Sequence, residues 1–233
     1  MKQVSDDTEG RAKRRGGWAW LFVPALVMLV GNYLVFGAFM LRFGEAAAAG
    51  AATIGAGPVI WSVLHLILIW IALRQLRTSG ISLRDLIGFE RQELLRDVRL
   101  GVVIAAAGTA VVLLSLRALE PVFGAGAVPF PMWAVLWWTV VTSVTAGVGE
   151  EVYFRGFLFE RLNRLSVPFL LLVTSLSFAV WHLSPVMLLH TFVMGLVFGW
   201  VYLRTKRLFP VIVGHTFVDV VGGIWMLYSL GSG

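Results

Sequence analysis

Cysteine is absent from the 233-residue chain. Its absence excludes a disulfide framework, a thiolate nucleophile, and zinc or iron–sulfur sites built on cysteine. Charge is scarce as well: Asp, Glu, Lys and Arg together make 14% of the residues, against 58% apolar ones. A soluble domain carries roughly a quarter charged residues. A chain this short cannot bury so many apolar side chains in a water-soluble fold. It is also far too apolar to be disordered. No internal repeat and no low-complexity tail is visible. These absences leave an all-α, polytopic transmembrane helical bundle as the expected fold class.

What is present is apolar sequence in membrane-sized runs. A bilayer core takes about 20 helical residues. Seven segments qualify or nearly do: Trp18 to Leu41, Ala52 to Leu73, Leu100 to Leu116, Met132 to Val148, Val167 to Trp181, Val186 to Leu203 and Leu208 to Leu230. The first exceeds the roughly 7–15 residues of a signal-peptide core and reads as a retained helix. Residues 1–17 form a basic N-terminal segment, and 18–233 a single transmembrane domain.

The net charge of +6 would point to nucleic acid in a soluble protein. Here it reads as basic cytoplasmic loops, with no nucleic-acid partner. With the N-terminus inside, 17 of the 19 Lys and Arg residues fall on the cytoplasmic side, leaving Arg42 and Arg117 outside. Arg outnumbers Lys 16 to 3, and the composition fits a bacterial inner-membrane protein.

Two connecting stretches stand out. Ile81 to Arg99 mixes leucines with Arg84, Asp85, Glu90, Arg91, Glu93, Arg96 and Asp97. It reads as an amphipathic interfacial segment, broken near Gly88 and Phe89. Glu120 to Pro131 is rich in Gly and Pro and shows no helical pattern. Trp18, Trp20, Trp61, Trp133, Trp137 and Trp138 suit interface belts.

Ionisable residues inside a bilayer mark functional sites by default. The set is Glu150, Glu151, Arg155, His182, His190, His215 and Asp219. At about 1.5 Å per helical residue, His182 lies ~21 Å from Pro168 and His190 ~21 Å from Arg204. His215 and Asp219 lie roughly 12 and 18 Å beyond Arg207, and Glu150 about 16 Å before Arg161. Four helices therefore bring polar groups to a similar depth, which predicts a shared cavity reached from the cytoplasm. Glu151 and Arg155 form an i,i+4 pair in the favourable order, which also reads as simple charge neutralisation. Glu150 and Glu151 point ~100° apart, so one faces the cavity while the other pairs with Arg155. His215 and Asp219 share a face, as do Phe178 and His182. His65 has no acidic partner apparent in the sequence and reads as interhelical glue. His190 reads equally as glue or as a site residue.

Several hydrolase designs are missing. No His–Glu dipeptide occurs, which removes the H-E-x-x-H metalloprotease. Ser143, Ser177 and Ser184 lack the Gly-flanked context of a nucleophile, and Asp219 is alone rather than one of two membrane aspartates. A carboxylate–imidazole site remains, with Glu to take a proton from water and His to position it or stabilise an oxyanion. Glu plus two His is also a plausible zinc set.

Glu150-Glu151-Val-Tyr-Phe-Arg155-Gly156 resembles the EExxxR motif of the CAAX prenyl protease and bacteriocin-processing (CPBP, or Abi) family of intramembrane proteases. Phe178-Ala-Val-Trp-His182 is similar to its FxxxH motif, and His215-Thr-Phe-Val-Asp219 to its HxxxN/D motif. Phe192 to Lys206, with Gly195 and Gly199, resembles the helix before the last motif. The resemblance places a protease-like core at 132–223. It implies that Glu150 activates water with help from His182, that His215 and Asp219 stabilise the oxyanion, and that Glu151 and Arg155 support Glu150. Phe178 and His190 stand as further supporting residues. The resemblance implies a glutamate-type mechanism without a required cofactor. Zinc held by Glu150, His182 and His215 stays open. An ionised Asp only accepts hydrogen bonds, so Asp219 is either protonated or orients His215. The second is expected, since a carboxylate can fix an imidazole tautomer.

The activity implied is an endopeptidase cutting near the C-terminus of a membrane-anchored protein or peptide within the lipid bilayer. Two other classes stay open: a non-catalytic membrane protein, such as a bacteriocin self-immunity or scaffold protein, and a proton-coupled transporter. The sequence does not give the oligomeric state.

Overall fold

The computed structural model describes residues 17–123 and 131–231. Residues 1–16, most of the expected basic N-terminal segment, and 124–130, most of the expected outer loop, lie outside the described residues. Among the described residues all regular structure is helical. Seven main helices follow in order: α1 Val23–Phe43, α2 Ala46–Thr78, α3 Leu94–Phe123, α4 Met132–Arg161, α5 Val167–Trp181, α6 Pro185–Thr205 and α7 Phe209–Gly231. Five stretches are long and apolar enough to cross a bilayer: α1, α2, Leu83–Ser115 (which includes the start of α3), α4 and α6. The protein is an integral membrane protein with a helical bundle fold.

Local signals set the helix ends. Pro24, Pro168 and Pro185 stand in the first turns of α1, α5 and α6, where the missing N–H has no intrahelical partner to lose. Gly44 closes α1 in a left-handed conformation, which glycine adopts without a Cβ clash. α2 begins six residues before the expected Ala52, because the Ala-rich stretch after Glu45 favours helix strongly.

The interfacial segment is shorter than expected. Leu83–Ile87 forms one helical turn and Arg91–Glu93 a short 3-10 turn. Residues from Leu94 onward belong to α3, so that span starts at Leu94 and not at Leu100. The break falls at Gly88, which has φ 62°. Arg207, in the α6–α7 turn, clasps this corner. Its Nε donates to the Gly88 carbonyl at 2.8 Å and its guanidinium pairs with Asp97.

α4 is the central element. It packs against α2 and α7, while α7 also packs along α3, α6 along α5, and α1 along α2. Within α4, π-helical turns occupy Trp138–Thr142 and Val152–Phe157; such turns gather at functional sites. α5 has only 15 residues, or about 22 Å of helix, and His182 follows its last turn. Trp61 departs from the expected interface belt: it packs inside against Trp138 and His182, with ring centroids 5.1 and 6.4 Å away.

Candidate functional site

The site begins with two close approaches along α4. A Cβ on Gly147 would collide with Thr216 of α7, and one on Gly149 would sit 3.0 Å from the Cβ and carbonyl oxygen of His65 on α2. Glycine at both positions lets two neighbouring helices close onto the next residues, Glu150 and Glu151.

Glu151 is fully buried and spends one oxygen on structure. Its Oε1 accepts from Arg155 Nη1 at 2.8 Å and from His215 Nδ1 at 2.8 Å. Arg155 is equally buried and donates from Nη2 to the Gly195 carbonyl at 3.2 Å. Its guanidinium lies over the rings of Phe178, Phe198 and Phe154, at 4.4, 5.3 and 5.9 Å from their centroids. Each group meets the others' need, since a buried charge is tolerated only when paired and hydrogen-bonded. The two glutamates diverge as their spacing predicts, with Glu151 taking the arginine.

Glu150 meets no arginine. Its Oε1 accepts from His65 Nε2 at 2.8 Å and from Trp181 Nε1 at 3.0 Å. Its Oε2 is buried without a hydrogen bond, 3.9 Å from His215 Nε2. The reading of His65 as glue without an acidic partner is therefore corrected. Its partner is 85 residues away on α4, a separation that no local spacing reveals.

His182 turns Nδ1 to the Phe178 carbonyl at 2.9 Å. That bond assigns the proton to Nδ1 and leaves Nε2 as the acceptor nitrogen of a neutral ring. The next residue, Leu183, has φ 48°, unfavourable for a branched L-residue. This tight turn leads from His182 into α6. Phe178 is the shared platform, with its ring 5.2 Å from His182 and 5.9 Å from His215. Phe198 stacks on His215 from the other side at 5.0 Å.

Asp219 does not orient His215. Its Oδ2 lies 3.8 Å from Nε2, beyond hydrogen-bond length. The orienting bond at Nδ1 comes from Glu151. The i,i+4 spacing put both side chains on one face but left a gap between them. Asp219 is the more open of the two, with its side chain 24% exposed against 7% for His215. His190 is buried, its Nδ1 has no partner, and it joins no hydrogen bond to the other site residues. Among the described residues no three His, Asp or Glu side chains are grouped as a metal site requires.

Glu150, Glu151, Arg155, His182, His215, Asp219 and Phe178 thus meet from α4, α5 and α7. Sequence reasoning missed His65, Trp181 and Phe198. Trp181 precedes the flagged His182, and its indole N–H needs a partner when buried. Phe198 falls within the glycine-bearing stretch of α6. The site is a buried carboxylate–imidazole centre in a membrane bundle, with one carboxylate locked by arginine and one held only by uncharged-capable donors.

Residues 132–221 match the model of the family described as type II CAAX prenyl endopeptidase Rce1-like. Over this stretch the chain is similar to the CAAX-type proteases of the CPBP family. No curated protein and no solved structure matches the chain.

Proposed function

We propose that the protein is an intramembrane endopeptidase that hydrolyses a peptide bond near the C-terminus of a membrane-associated protein or peptide. The observation that carries this reading is the division of labour between the adjacent glutamates. A carboxylate paired with arginine is a poor base, because the guanidinium keeps its proton and its charge. Glu150 faces only imidazoles and an indole, and its Oε2, like that of Glu151, makes no hydrogen bond; the absence of arginine is what sets Glu150 apart. Glu150 is accordingly the base and Glu151 the support.

In the reaction Glu150 Oε2 takes a proton from water, with His182 Nε2 accepting a hydrogen bond from the same water. The resulting hydroxide adds to the scissile carbonyl carbon. His215 acts as an imidazolium, with Nδ1–H donating to Glu151 and Nε2–H donating to the oxyanion, and Asp219 lies beside it. The intermediate collapses, the C–N bond breaks, and the amine leaves with the proton that Glu150 took up. The residues themselves supply each step without a metal. The core lies within 132–223. The bias of basic residues to one set of loops supports a cytoplasmic N-terminus in a bacterial inner membrane.

The test is a full-length preparation in liposomes, given membrane-anchored peptides with and without a C-terminal prenyl group. Release of a C-terminal fragment is expected. It persists after a strong chelator, and it falls by about 10²–10⁴-fold in Glu150→Gln, the range of general-base catalysis. Full activity in a correctly inserted Glu150→Gln variant overturns the reading. Rescue of chelated protein by zinc alone overturns its metal-free form.

A further inference from the structure

We infer that His65 is a positioning residue of this site: with Trp181 it occupies one oxygen of Glu150 and so makes the other oxygen the base. The inference rests on the proposed role of Glu150. It concerns a residue on α2, outside the 132–221 family match.

An ionised carboxylate only accepts hydrogen bonds, so both neighbours of Oε1 donate, His65 through Nε2 and Trp181 through Nε1. A carboxylate oxygen has two lone pairs, and both on Oε1 are then in use. A water proton has Oε2 left to go to. That oxygen lies on the side of His215 Nε2, at 3.9 Å, where a substrate carbonyl would meet the oxyanion donor. Without the two donors the carboxylate could rotate and present either oxygen, away from the partner nitrogens.

His65 is itself held in place. Its side chain is fully buried. The bare α4 backbone at Gly149 sits against its Cβ and carbonyl. Its ring lies 5.8 Å from that of Trp181, and Nδ1 is 3.4 Å from Thr145 Oγ1. About two turns earlier on α2, the Pro58 carbonyl accepts from Ser62 and from Thr142 of α4, each at 2.9 Å. These bonds fix the register of α2 on α4 and hence the reach of His65 to Glu150. The surroundings position a rigid donor, which simple helix glue does not require.

The test compares His65→Gln with His65→Asn in the liposome assay. The Gln amide nitrogen reaches the place of Nε2, whereas Asn is one methylene too short. Both are uncharged amides, so a role in packing alone moves them together. The expected result is a kcat within about tenfold of the parent for Gln and roughly 10²-fold lower for Asn, with KM changed little in either, the pattern of a lost transition-state interaction. Trp181→Phe removes the other donor and is expected to lower kcat about tenfold by the same logic. In a Glu150→Gln background, His65→Asn is expected to add no further loss, since the two residues act as a unit. Unchanged kcat in His65→Asn, or equal losses in Gln and Asn, overturns the inference while an inactive Glu150→Gln leaves the base assignment standing. Full activity in Glu150→Gln alone removes the base assignment and the inference with it.

Discussion

The two halves of the chain bury different chemistry. In α1 to α3 the buried side chains are mainly aliphatic, such as Met28, Leu64, Leu68 and Leu76, and α1 turns Leu26, Leu29, Tyr33, Leu34 and Leu41 outward. In α4 to α7 the buried set includes Glu150, Glu151, Arg155, His190 and His215. In lipid, outward leucines carry no penalty, because the hydrocarbon is as apolar as they are. Inward charges carry a large one unless paired. The first half can therefore be built from composition alone, whereas the second needs each polar group placed against a named partner. His65 and Asp97 are the exceptions, first-half residues bonded to the second-half partners Glu150 and Arg207.

Arg155 is where this difference is expected to break most sharply. Arg155→Met leaves buried Glu151 with only its bond from His215 and strips the donor from the Gly195 carbonyl. Loss of one partner of a buried pair costs about 3–5 kcal/mol. Thermal unfolding in detergent should show that loss, together with failure to accumulate in the membrane. Unfolding unchanged from the parent would mean that Glu151 finds another cation.

Asp219 comes next, as a test of a partly open member of the site. With Glu151 holding His215, the role left for Asp219 is that of a protonated acid donating to the oxyanion, which an Asn amide can also serve. Asp219→Asn is expected to keep kcat within tenfold, and Asp219→Leu to lose about 10²-fold, the scale of one oxyanion donor. Equal losses in both variants would remove Asp219 from that role.

Gly149→Ala probes the seam between the halves. The added methyl would meet His65 Cβ and backbone at 3.0 Å, so α2 and α4 must part by a few tenths of an ångström. Overpacking of this kind costs about 1–3 kcal/mol. The same shift lengthens the His65–Glu150 bond, so kcat should fall more than stability alone explains. Full kcat in Gly149→Ala would show that the donor distance has slack.

How much of this could be read in the sequence follows from the range of each interaction. Seven apolar runs gave seven helices, because membrane helices need only length and apolarity. Their ends were less legible: Leu94 joined α3 because the local break is at Gly88, not at the first apolar residue. The Glu151–Arg155 pair was readable because its partners are one turn apart. The bonds from His65 and Trp181 to Glu150, and from His215 to Glu151, span 85, 31 and 64 residues. No periodicity encodes them. Asp219 shows the opposite failure, since a shared face brings its Oδ2 within 3.8 Å of His215 Nε2 without the orienting hydrogen bond that was expected.

The smallest effect is expected on the lipid face, where it sharpens the comparison within the first half. Leu34 on α1 is 69% exposed and Leu68 on α2 is fully buried. Leu68→Ala opens a cavity between α2 and its neighbours and should cost about 2–5 kcal/mol. Leu34→Ala exchanges contacts with lipid for contacts with lipid and should stay within roughly 0.5 kcal/mol, as for exposed sites generally. Cleavage should be unaffected by Leu34→Ala, because α1 contributes no polar group to Glu150 or its partners among the described residues. Equal destabilisation by the two substitutions, measured by unfolding in the same detergent, would mean that α1 is covered by protein and not by lipid. It would move that helix to the buried side of the comparison.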